Sequence, residues 1–138
     1  MIEDEIRESL DKIAARMRRD YSNALREFNL HVGQDNLLCR LWKGEGVTQL
    51  QLCEHLKCEP STVTNMLNTL ERNNYVYRQR DPADARVSRV YLTAQGKEIQ
   101  EPIRRIWRSE QDKLLRGFSL EDRLLLSRLL SQIEENLS

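Results

Sequence analysis

Ile2, Ile6, Leu10, Ile13, Met17, Tyr21, Leu25 and Phe28 recur at steps of three and four, the stripe of one long amphipathic helix. The stripe is too narrow to close a core by itself. It predicts a helix that lies on another surface, and a second subunit is the natural supplier. His31 to Gly33 breaks the pattern. Leu37, Leu38, Leu41 and Trp42 mark a short second helix, which Gly44 and Gly46 stop. In "TQLQ", Thr48 stands three residues before Gln51. That spacing is a capping box, and it opens a third helix with Leu50, Leu52, Cys53 and Leu56 on its apolar side. Pro60 suits the first position of a fourth helix, because its missing N–H would be unpaired there anyway. Asn73 and Asn74 end that helix, since Asn tolerates the left-handed conformation better than most residues.

The period then changes from helical to alternating. "YVYRQR" and "VSRVYLT" are β-prone runs on either side of a loop, Asp81 to Arg86, and predict a two-stranded hairpin leaning on helices. Two residues would reverse the chain, so a six-residue charged tip implies a task beyond turning. After Thr93 the chain returns to helix through about Arg116, with Pro102 bending it or marking a local break. Ser119 caps a last helix in which Leu124, Leu125, Leu129, Leu130, Ile133 and Leu137 are expected to be buried.

The 138 residues are enough for one core, and 39% hydrophobic with 32% charged residues argues against disorder. Lys and Arg total 22 and so do Asp and Glu, so the whole-chain charge points to no partner. Its distribution does. Between residues 71 and 92 five arginines face three carboxylates, whereas the first thirty residues carry six basic and seven acidic groups. With no apolar run near membrane length and no leader-like start, the expected compartment is the cytoplasm and no membrane partner is expected. Cys39, Cys53 and Cys58 have no disulfide-framework spacing.

Candidate chemistry lies on the fourth helix. Val63, Met66, Leu67 and Leu70 form one apolar stripe, and the opposite side holds Ser61, Thr62, Thr64, Asn65, Asn68 and Arg72. Ser, Thr and Asn weaken a helix, so a purely solvated face would favour Lys and Glu instead. Asn and Thr can contact base edges or phosphates, and a helix N-terminus favours anions. A short helix, a tight break, a polar-faced helix and an arginine-bearing hairpin make the plan of a winged helix-turn-helix. Two histidines and no glycine-rich phosphate loop offer little to an enzyme, and His31 reads as a turn residue. Cys53, His55 and Cys58 stand close enough together to raise a thiol or metal sensor as the alternative, although their spacing falls short of a structural zinc set.

The segment from Val47 to Glu98, above all Asp84-Ala85-Arg86 followed by "VYLT", resembles the core of the MarR family of bacterial transcription regulators. The flanking helices follow that family's order. The resemblance implies a mainly α fold with a small β-hairpin wing, in which a winged helix-turn-helix core is flanked by N- and C-terminal dimerisation helices. Residues 1–30 would be the first dimerisation helix, 34–93 the DNA-binding lobe and 94–138 the helices completing the dimerisation region, all in one structural domain. It further implies a homodimeric repressor on a pseudo-palindromic, double-stranded operator, released by a small ligand or an oxidant, with no cofactor. Asp84 would hold Arg86 for the minor groove, and Arg72, Arg78, Arg80 and Arg89 would be candidates for backbone contacts. The dimer would use Ile6, Leu10, Ile13, Leu25, Leu129 and Ile133, and an unknown effector would sit near Tyr21, Trp42 or Trp107. Many relatives carry arginine where this chain has Asn65, which bears on the operator sequence.

Overall fold

In a computed structural model that describes residues 1–138, the chain folds as seven α-helices and a three-stranded sheet. The helices are α1 (Ile2–Leu25), α2 (Gln34–Lys43), α3 (Gln49–Leu56), α4 (Pro60–Arg72), α5 (Ala94–Glu98), α6 (Gln100–Leu114) and α7 (Leu120–Leu137). The strands are β1 (Val47–Thr48), β2 (Val76–Arg80) and β3 (Ser88–Leu92). The chain divides into two compact units, residues 1–106 and 107–138.

The first unit contains the core. Leu25, Leu37, Leu38, Leu52, Val63, Leu67, Leu70, Val90 and Ile103 have no solvent exposure, so α2, α3, α4 and the sheet share one interior. The first helix ends earlier than its apolar stripe suggests. A 3-10 turn at Arg26–Phe28 follows α1, and Asn29 takes a left-handed conformation at φ 58°. Gly33, at φ 106°, then starts α2, and two side chains of its first turn reach back to amides of the preceding turn. The Gln34 Oε1 accepts from the His31 amide at 2.9 Å, and the Asp35 Oδ1 accepts from the Gly33 amide at 3.0 Å. The Thr48–Gln51 capping box opens α3 as its spacing predicts. Leu50, expected on the apolar side of α3, is instead 66% exposed.

The hairpin gains a strand the alternation does not reveal. The two-residue β1 pairs antiparallel with the outer side of β3, Val47 opposite Val90, which gives the order β1-β3-β2. Asn74, at φ 64°, turns the chain from α4 into β2. The helix after the wing is interrupted at Ile99, three residues before Pro102. Proline lacks the amide that would bond to the Glu98 carbonyl and its ring crowds that carbonyl, so the helix restarts.

In the second unit, Gly117 at φ 83° turns the chain between helices, and Arg123 donates to the Phe118 and Leu115 carbonyls, each at 3.2 Å. Ser119 caps α7 by accepting from the Asp122 amide at 3.1 Å. The apolar positions of α7 depart from expectation: Leu124, Leu125, Leu129, Leu130 and Leu137 are all exposed. Periodicity marks a face that requires cover, and the single chain does not supply it.

Candidate nucleic-acid interface

The geometry of α4 follows from its two faces. Val63, Leu67 and Leu70 anchor one side in the core, which turns Ser61, Thr62, Asn65, Asn68 and Arg72 outward. Within the chain, Ser61, Thr62, Asn65 and Arg72 leave their polar side chains unpaired. Thr64 is half-buried, and its hydroxyl oxygen accepts from the Gln49 amide, which locks α4 to the start of α3. Asn68 is also engaged: its Oδ1 accepts from the Arg78 Nη2 at 2.6 Å. Arg78 in turn gives its Nε to Glu71 at 3.0 Å, so a strand residue of the wing is bound to the exposed side of α4.

The wing tip is built by two carboxylates. Asp84 accepts three bonds from Arg86, from the backbone amide at 3.0 Å, from Nε at 3.1 Å and from Nη2 at 3.3 Å. The Arg86 side chain nevertheless remains 91% exposed, so the pairing aims the charge without hiding it. Asp81 accepts from the Ala83 amide at 2.7 Å and from the Arg89 Nε at 2.7 Å. Arg89 passes the connection on to the Gly46 carbonyl at 2.8 Å, joining the tip to the loop before β1. Hydrogen bonds from Arg89 and Ala83 hold the Asp81 carboxyl below its ordinary pKa, and those from Arg86 do the same for Asp84.

The five wing residues named from the sequence therefore separate. Arg80 is exposed and unpaired, and Arg86 is exposed and aimed by Asp84. Arg78 and Arg89, expected as candidates for backbone contacts, are paired with neighbours inside the chain. Arg78, Arg80 and Arg86 line one open groove of about 590 Å³ with Gln49 and Ser88. Gln49 and Glu71 escape a sequence reading. The signal for Glu71 is a carboxylate three residues from Asn68, on a helix whose only other charged residue is Arg72.

The remaining expectations meet the structure unevenly. Ile6, Leu10, Ile13 and Leu129 are 38–49% exposed and Ile133 is half-buried, so their apolar surface is open to a partner. Leu25 is not; it has no exposed area and belongs to the core, which corrects its placement at an interface. Tyr21, Trp42 and Trp107 are half-buried, and the Trp42 Nε1 donates to the Gly96 carbonyl at 2.9 Å, a brace between α2 and α5. Cys53 is buried, His55 is exposed, and the Cys58 thiol faces the Leu56 carbonyl at 3.4 Å. No three groups of the His, Cys, Asp or Glu type gather closely enough to hold a metal ion. No helix is long and apolar enough to cross a membrane.

Known proteins share both the sequence and the shape. Residues 32–88 match the model of the MarR family. The HTH-type transcriptional regulator SarZ of Staphylococcus aureus is 30% identical over 105 residues, which span 76% of this chain and 68% of SarZ. Among solved structures, a MarR transcriptional regulator from Methanosarcina mazei superposes with a TM-score of 0.83 at 25% identity, covering 97% of each chain. FabT of Streptococcus pneumoniae, solved in complex with DNA, superposes with a TM-score of 0.84 at 26% identity, covering 97% of this chain and 96% of FabT. By sequence and by fold, this chain belongs to the MarR family of winged helix-turn-helix transcriptional regulators.

Proposed function

We propose that the chain acts as a homodimeric, sequence-specific repressor that binds a pseudo-palindromic double-stranded operator and is released by a small-molecule effector. One observation carries this reading: the unpaired polar face of α4 is joined, through Asn68 and Arg78, to a groove lined by the arginines of the wing. A helix of that composition fits the major groove, and an arginine on an extended tip fits the negative potential of a narrow minor groove. The DNA complex of the relative FabT supports the same kind of partner. Selection of genomic fragments by the purified protein, followed by titration at two salt concentrations, tests the reading. The expected product is a short, two-fold-related site whose affinity falls steeply with salt. Absence of salt-dependent binding to every selected fragment would refute it.

We place the effector in a cleft of about 360 Å³, where Ser22, Arg26 and His31 meet Thr69 of α4 and Asn73 just beyond its end. Its lining offers one permanent cation and one histidine without any carboxylate, which suits a small anion. It touches both the end of α1 and the second half of α4, so occupancy would bias the helix that meets DNA. Arg26→Ala should leave operator binding intact and abolish its release by an effector found through ligand screening. Release that survives the substitution would place the effector elsewhere.

A further inference from the structure

Arg78 and Arg86 are both paired arginines of one groove, yet their partners use them in opposite ways. Asp84 holds Arg86 outward at 91% exposure, while Glu71 holds Arg78 inward, leaving its side chain 26% exposed. Glu71 takes the Arg78 Nε at 3.0 Å and Nη2 at 3.4 Å, and the same Nη2 reaches the Asn68 Oδ1 at 2.6 Å. A guanidinium has only donors, so the Asn68 amide must turn its oxygen toward Arg78 and leave its NH2 as the free donor. An amide without that partner could present either edge.

We propose that Glu71 is a specificity-determining positioning residue: it keeps Arg78 off the phosphate backbone and on Asn68, fixing the orientation in which Asn68 meets a base pair. The inference rests on the DNA-binding reading above and deepens it. A carboxylate beside DNA costs affinity, because it cancels a charge that would otherwise neutralise a phosphate. Except for Glu71 and Arg72, the outward side of α4 is uncharged. The exchange is intelligible if Glu71 gives up sequence-independent attraction and gains discrimination at one base pair. A role confined to fastening β2 to α4 would affect stability alone.

The test compares the full chain with its Glu71→Gln variant on the selected operator and on a scrambled duplex of equal length. Thermal melting of both proteins verifies folding. With Arg78 released, binding to scrambled DNA should tighten and its salt dependence should steepen by about one counterion. That is a further loss of roughly threefold between 50 and 200 mM salt. Preference at the base pair facing Asn68 should weaken by about fivefold or more. Asn68→Ala should erase that preference in both backgrounds, and Glu71→Gln should have no further effect on the salt slope when Arg78→Gln is already present. An unchanged slope and an unchanged base preference in Glu71→Gln overturn the inference while leaving DNA binding intact. The same slope change in the Arg78→Gln background also overturns it. Failure of the unaltered protein to bind DNA at all overturns the functional reading and this inference with it.

Discussion

Arg86 combines two properties that seldom coexist at a loop tip, near-complete exposure and a fixed direction. Asp84 supplies the second by accepting from both its backbone and its guanidinium, so less side-chain freedom remains to be lost when DNA arrives. Arg86→Ala should therefore weaken operator binding and reduce the salt slope by about one phosphate equivalent or less. Equal affinities for the two proteins at both low and high salt would remove Arg86 from the interface. Asp84 and Asp81 add a pH dependence of known sign. Their carboxyls bind protons less readily in the folded hairpin than in the unfolded chain, so their contribution is complete above the ordinary carboxylate range. It fades as pH falls through their depressed values. Carboxyl chemical shifts should show Asp84 titrating below an ordinary aspartate, and Arg86→Ala should return it toward normal. An unmoved midpoint in that variant would show that the guanidinium does not hold the carboxyl. At this scale the sequence exposed Asp84 and Arg86, which are two residues apart, but concealed the roles of Arg78 and Arg89. Their partners lie on α4, across the hairpin or in the loop before β1, at separations of 7 to 43 residues, where sequence order says nothing about distance.

Elements were most legible where their ends are local. Thr48 and Gln51 satisfy each other's backbone amides within one turn, so a four-residue pattern suffices to place the start of α3. Thr48→Ala should cost about 1 kcal/mol in denaturant unfolding, with its effect confined to stability. The strand β1 was illegible for the opposite reason: it is two residues long and exists only because β3 presents an open edge to it. The joint between α4, the sheet and α5 depends on the absence of a side chain at Gly96. A methyl group there would run into the Tyr75 carbonyl, which already accepts from the Thr93 amide at 3.0 Å. The Gly96 carbonyl also receives the Trp42 indole. Gly96→Ala should destabilise the first unit by about 1–3 kcal/mol, because backbone rather than a pliable side chain must yield. A melting temperature indistinguishable from that of the unaltered chain would contradict this packing.

At the scale of the molecule, the exposed leucines and isoleucines pose the remaining physical question. Ile2, Ile6, Leu10 and Ile13 on α1, and Leu124, Leu125, Leu129 and Leu130 on α7, are each 38% or more exposed. Water-facing apolar rows of that length mark surfaces that another chain can cover, and the dimer proposed above would supply that cover. The distinction between Leu10 and Leu25 gives this idea a sharp test, because both belong to one helical stripe and only Leu25 is already buried by its own chain. Asp at position 25 places a charge in the core and should prevent folding. Asp at position 10 should leave the helical circular dichroism of the lobe in place and convert the protein to monomers in light scattering. Such a monomer still owns one complete recognition surface. Its DNA binding should retain about half of the salt slope of the dimer, since half the phosphate contacts remain, and it should lose the preference for two-fold-related sites. A Leu10→Asp protein that stays dimeric would exclude this part of α1 from the interface. A monomer that still bound the full operator with undiminished slope would instead show that one chain reads both half-sites.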